Sequence, residues 1–223
     1  MQLLIQLGVS DENSSKPCKC STFGCIIMDS TAHAEHAGFY EDRQTLGDWQ
    51  TSVRHNATLK CLTNDKRRAM ILHEYVEGKD WLDVGCGAGG IPYLLKHACK
   101  DYAGVEPEQH IREALVEDGR DIFRYIEEMN VDRMFDVTSA FHVVEHLLGP
   151  IDVLTKICDR LRPGGMVVLA VPHARDFLLE GLKCDAFADF TLWSEQLIFH
   201  ALECLTHLVQ SCGFERCTAK GEQ

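Results

Sequence analysis

No stretch of this 223-residue sequence reaches the ~18 consecutive apolar residues that a membrane-spanning helix needs. The opening Met1-Gln2-Leu3-Leu4-Ile5-Gln6-Leu7 is apolar but short, without the basic start or small-residue cleavage site of a secretory signal. Positive charge is scarce: 22 Lys and Arg stand against 34 Asp and Glu, a formal charge of −12. Phosphate binding relies on clustered basic side chains, so this balance argues against nucleic acid or an anionic membrane as partner and favours a small acceptor molecule. The 11 cysteines lack the paired Cys-x-x-Cys spacing of zinc ribbons and are scattered rather than spaced as a disulfide framework. Reduced thiols in a cytoplasmic protein are the expectation.

With 45% hydrophobic residues the chain can bury one substantial core. Residues 1–36 form an arm of uncertain structure, where Cys18, Cys20 and Cys25, with His33 and His36 beyond, have the residue types but not the spacing of a metal site. No metal is expected, and a loosely packed arm is the default. Residues 37–78 interleave Phe39, Tyr40 and Trp49 with charges and read as ordered helical turns, ending in a helix Lys66–Val76 that starts at Asp65 and stops at Gly78.

From residue 79 a β/α alternation begins. Strands are expected at Trp81–Val84, Tyr102–Glu106, Ile122–Ile126, Phe135–Phe141 and Met166–Val171, with helices at Gly89–Cys99, Glu108–Asp118 and Ile151–Leu161. Such alternation with right-handed crossovers predicts an α/β fold, a Rossmann-like doubly wound, mostly parallel sheet with helices on both faces. An irregular insertion at about 173–200 follows, and Leu192–Ser211 reads as an amphipathic helix.

The chain is organised around Trp81-Leu82-Asp83-Val84-Gly85-Cys86-Gly87-Ala88-Gly89-Gly90, a strand breaking into a glycine turn that opens a helix. Gly85-x-Gly87-x-x-Gly90, with Glu106 about 20 residues on, also fits the dinucleotide fingerprint, which keeps an NAD-dependent oxidoreductase as an alternative. Asp83 weighs against it. A carboxylate just before the turn repels a pyrophosphate but can pair with a cationic amino group.

Leu82-Asp83-Val84-Gly85-Cys86-Gly87-Ala88-Gly89 resembles motif I of the class I S-adenosylmethionine-dependent methyltransferases, and Gly104-Val105-Glu106-Pro107 resembles their motif II. Phe135-Asp136-Val137 through Leu147 resembles the fourth-strand motif, and Leu161-Arg162-Pro163-Gly164-Gly165 the turn before the fifth strand. The resemblance implies S-adenosyl-L-methionine as cofactor. It implies Asp83 at the methionine ammonium, Gly85, Cys86, Gly87 and Gly89 at the methionine part, and Glu106 with Pro107 at the ribose. Ile126 is implied beside the adenine, and Phe141 and His142 near the transferred methyl.

Methyl transfer from a sulfonium is an in-line displacement in which alignment supplies much of the rate. A hydroxyl or carbon acceptor also needs a base, for which His142, His146 and His200 are candidates, with His173 beside them. Tyr40, His173 and Trp193 are candidate substrate contacts, and residues 37–78 a helical cap over the cofactor. Relatives commonly carry a histidine where Gln196 stands, and an amide cannot act as base, so His200, one helical turn later, would have to replace it. The stretch after the fifth strand most resembles bacterial enzymes acting on sugars, polysaccharide precursors and secondary metabolites. Similar enzymes add two strands after the last helix, so the C-terminal strands are expected to be incomplete. A truncated or non-catalytic cofactor-binding relative is therefore the second alternative.

Overall fold

The computed structural model describes residues 18–28, 51–191, 196–215 and 218, with 51–62 and 189–191 described by backbone alone. Two short strands come first, β1 (Cys18–Lys19) and β2 (Ile26–Ile27), followed by a long helix, α1 (Thr51–Val76). Strands and helices then alternate: β3 (Asp80–Val84), α2 (Gly90–Leu95), β4 (Asp101–Val105), α3 (Gln109–Glu117), β5 (Ile122–Phe123), β6 (Phe135–Phe141), α4 (Pro150–Asp159) and β7 (Leu161–Ala170). The described elements finish with α5 (Asp185–Thr191), β8 (Ile198–Phe199) and α6 (Leu202–Ser211).

Five strands form a parallel sheet in the order β5-β4-β3-β6-β7. β3 is central, and all five of its residues are buried, as expected for a parallel strand covered on both faces. On one face Leu72 and Val76 of α1 pack with Trp81, Ile91 and Val137; on the other Leu82, Val105, Phe135, Leu154 and Ile157 form the larger core. Each fully buried side chain of this size contributes roughly 1.5–3 kcal/mol. At the opposite end from the glycine turn, Asp80 meets Lys100 at 3.1 Å and Arg162 at 2.8 Å, and Arg162 also holds Asp136 at 3.0 Å. These partly exposed pairs tie strand starts together more than they stabilise.

The doubly wound parallel sheet stands as expected, while several element boundaries do not. The helix expected from Lys66 begins at Thr51, so Asp65 lies inside α1 and is no helix start. The strand expected at Ile122–Ile126 stops at Phe123, and Ile126–Glu128 turn into a 3-10 helix. The strand expected from Met166 begins earlier. β7 pairs Leu161 with Phe135 and Met166 with Val137, the residues between looping out around Gly164 at φ +82°.

Two further corrections concern the ends. Across its described residues, 196–211, the helix expected over Leu192–Ser211 is a strand and a shorter helix, because Ile198 and Phe199 pair antiparallel with Ile27 and Ile26. β1, β2 and β8 thus form a second, three-stranded antiparallel sheet, so residues 18–28 are no loosely packed arm. Phe199 is fully buried there with Met28, Ala174 and Ala201, and this packing overrides the helical periodicity of the segment. Tyr40, Trp193, His33 and His36 lie outside the described residues.

Candidate functional site

The strand order reverses between β3 and β6, and in open α/β sheets ligands enter the crevice at the carboxyl ends of such strands. The turn after β3 lies there. Gly85 has φ +71°, and a Cβ added to it would sit 2.4 Å from Val143 Cγ2 at the end of β6. Only glycine fits. Gly87, at φ +50°, has nothing within 4 Å of where its Cβ would be, which leaves its backbone open to a ligand.

Glu106, at the end of β4, is buried, and each of its carboxylate oxygens accepts one backbone N–H. Oε2 accepts from Gly87 at 2.9 Å and Oε1 from Glu108 at 2.9 Å. The acid and the glycine turn are therefore one assembly. A carboxylate has about four lone-pair sites, so two remain for further donors. Burial pushes its carboxyl up to about 7, against the two backbone N–H groups. Pro107 is half-buried beside it and its carbonyl accepts from Arg112 Nη1 at 2.7 Å.

Asp83 is held by a buried chain across the sheet. Trp81 Nε1 donates to Ser139 Oγ at 2.8 Å, and Ser139 Oγ donates to Asp83 Oδ1 at 2.6 Å. Burial raises the Asp83 carboxyl to about 7, partly offset by the Ser139 hydrogen bond and reinforced by the charges of Glu106 and Asp65. Asp65 comes from α1, and its Oδ2 lies 1.9 Å from where a Gly90 Cβ would be. The sequence reading missed it as a site residue, since only α1 docking against the turn brings it there. Three carboxyl groups thus surround one glycine turn, and burial keeps the Cys86 thiol beside them neutral, well above its usual range. A concentration of desolvated acids suits a cationic ligand.

At the end of β6, His142 has φ +56°, a left-handed conformation that a non-glycine residue seldom takes. Its Nδ1 lies 3.0 Å from Oε1 of Glu145, which is fully buried in a 3-10 turn. A carboxylate in its ionised form only accepts, and facing one, Nδ1 would be the proton-bearing nitrogen and Nε2 the accepting one. His146 Nε2 stands 4.0 Å from the same oxygen. Glu145, in that turn, is the hub of this cluster.

His200 is buried beside β8, and burial lowers its pKa against the pull of Glu145. It does not lie one helical turn after Gln196, because that segment is extended and α6 begins at Leu202. His173 is exposed and bridges His200 through the backbone. Phe141 packs against the α1 and α2 cluster. Ile126 is buried within the larger core and lies in the 3-10 turn after β5 rather than on a strand.

Fold and turn together define a Rossmann-like cofactor-binding sheet with an acid after its second parallel strand. A family profile described as "Methyltransferase domain" matches residues 54–217, and the chain belongs to that family, the class I S-adenosylmethionine-dependent methyltransferases. The chain is 34% identical over 98 residues to a tRNA U34 carboxymethyltransferase of Actinobacillus succinogenes, a match covering 40% of this chain and 30% of that protein. Among solved structures it resembles an S-adenosylmethionine-dependent methyltransferase of Thermotoga maritima, with TM-score 0.51 and 19% identity over 72% of this chain and 81% of that one. It also resembles a Haloferax volcanii complex of the Trm112 activator and a methyltransferase, with TM-score 0.58 and 14% identity over 77% and 76%. No helix among the described residues is long and apolar enough to cross a membrane.

Proposed function

We propose that this chain transfers a methyl group from S-adenosylmethionine to a small polar acceptor, with the glycine turn after β3 as the cofactor cradle. The observation that carries this reading is the Glu106 carboxylate, buried and bonded to Gly87 N–H, with two lone-pair sites left for a pair of hydroxyls. Asp83 and Asp65 supply the negative field for the ammonium and sulfonium charges, and open space at Gly87 admits the ligand. When bound, the cofactor supplies an electrophilic methyl on sulfur. Asp83, oriented by Ser139, holds the amino group; Glu106 holds the ribose; Gly85, Cys86 and Gly89 shape the turn.

His142 takes the acceptor proton on Nε2, oriented by Glu145 at Nδ1, and His146 lines the same edge. His173 borders the acceptor side. The formal charge of −12 weighs against a polynucleotide acceptor, although the Actinobacillus relative is a tRNA enzyme.

Calorimetric titration of S-adenosylmethionine, S-adenosylhomocysteine and NAD into the chain and into Glu106→Gln tests the reading. The first two should bind and NAD should not, with the variant weaker by about 10–100-fold, the range for a lost charged hydrogen bond. Equal binding by the variant removes the ribose assignment. Binding without turnover across a panel of hydroxyl and amine acceptors would favour a non-catalytic relative.

A further inference from the structure

Two pairs that are distant from each other in sequence, Cys20 with Cys25 and His200 with Cys204, meet at the small antiparallel sheet. β1 and β2 pair Cys18 with Ile27 and Lys19 with Ile26, so the next rung sets Cys20 opposite Cys25; the Cys20 N–H donates to the Cys25 carbonyl at 2.8 Å. β2 and β8 pair Ile26 with Phe199, and by the same register Cys25 stands opposite His200. Directly opposed residues of an antiparallel pair project to the same face. Cys204, on the first turn of α6, completes the group with its Sγ 3.9 Å from His200 Nδ1. Cys204 and Cys20 both lie close enough to the Cys25 thiol to add to the upward push that burial gives it.

We propose that Cys20 and Cys25 are a redox-active dithiol, a modification site at which a peroxide converts the two thiols to a reversible cross-strand disulfide. The register carries the geometry. Opposed residues of an antiparallel pair have Cα atoms about 4.5–5.5 Å apart, within the 4.4–6.8 Å that a disulfide spans, and the register extended by the Cys20 N–H bond to the Cys25 carbonyl places this pair in that range. The two cysteines also differ as attacking and resolving thiols do. Cys20 is half-buried at the turn, where the N–H groups of Phe23 and Thr22 hold its thiol below the usual range; Cys25 is buried and its thiol is pushed up to about 12.

The Cys20 thiolate attacks one peroxide oxygen: an S–O bond forms, the O–O bond breaks, and the other oxygen leaves as hydroxide, taking a proton to become water. The Cys25 sulfur then attacks the sulfenic sulfur. An S–S bond forms, the S–O bond breaks, and the second water leaves with the Cys25 proton. Two thiols are oxidised and one peroxide is reduced. Cys18 is exposed but pairs across from Ile27, with no thiol opposite it, and provides an internal control.

The test uses the reduced full chain, treated with hydrogen peroxide, blocked with N-ethylmaleimide and digested with trypsin. Cleavage after Lys19 leaves Cys20 and Cys25 in one peptide and Cys18 in another. The peptide holding Cys20 and Cys25 should lose two hydrogens and escape labelling while Cys18 still labels, and dithiothreitol should restore it. In Cys25→Ser, Cys20 should be trapped as a sulfenic acid that reacts with dimedone, whereas Cys20→Ser should leave Cys25 slow to oxidise. The proposal is overturned if Cys20 and Cys25 label as fully as Cys18 after peroxide. A Cys25–Cys204 link, or stoichiometric zinc in the purified chain, would overturn it too.

Discussion

Replacing Asp83 by Asn separates what the buried carboxylate costs the fold from what it does for the ligand. Asp83 ionises near 3.8 in an unfolded chain and at about 7 in the fold, with burial the largest cause. A folded value above the unfolded one means that the neutral acid's stability is complete below about 3.8 and is lost as pH rises to about 7. Ionising this one group in the fold then costs up to about 4 kcal/mol. Glu106 is also raised to about 7 and its charge is felt by Asp83, so the two share part of that cost.

Allowing half, Asp83→Asn should be about 2 kcal/mol more stable than the parent above neutrality, or about 4–8 °C in Tm for a chain of this length. The Asn carbonyl keeps the Ser139 hydrogen bond that holds the position. Thermal unfolding of both proteins at about pH 5 and about pH 8, without cofactor, reads this directly. The variant's advantage at the lower pH should be about a third of that at the higher one, since the loss runs from about 3.8 to about 7. With S-adenosylmethionine added at the higher pH the order should reverse, because only the carboxylate pairs with the ligand ammonium. A variant less stable at both pH values, or a difference independent of pH, would refute the account of Asp83 as a desolvated acid.

Gly85→Ala places a methyl 2.4 Å from Val143 at φ +71°, so a loss of about 2–4 kcal/mol is expected, read as a lower denaturation midpoint. Val143→Ala in the same chain should return part of it. Glu145→Gln keeps the shape of a buried side chain but lets an amide N–H face His142 Nδ1, which favours the wrong tautomer. For a hydroxyl acceptor kcat should fall by about 10–1,000-fold while the Kd of S-adenosylmethionine stays within about twofold. Equal kcat would remove the histidine–carboxylate pair from the reaction.

What could be read along the chain was what depends on near neighbours. The apolar run Trp81–Val84 breaking into glycines, the carboxyl-end acid Glu106 one β/α unit later, and the repeated strand and helix patterns are local signals, and the parallel sheet they imply is the one observed. Even so, the C-terminal pattern misled. Leu192–Ser211 has a helical period, yet Ile198 and Phe199 are drawn into a strand by β2, some 170 residues earlier.

The tertiary structure alone decided the rest. A two-residue strand carries no period to detect and is too short to be stable without partners, so β1, β2 and β8 exist only as one sheet. Asp65 reads as a helix start until α1 is packed against the glycine turn, where it becomes a third acid beside Asp83 and Glu106. The Ser139 hold on Asp83 spans 56 positions, and the turn that buries Glu145 beside His142 follows the left-handed residue at the end of β6. Sequence determined which residues would form the sheet and which turn could admit a cofactor. Burial, which depends on the whole fold, decided the charge each carboxyl carries and which distant side chains came to touch.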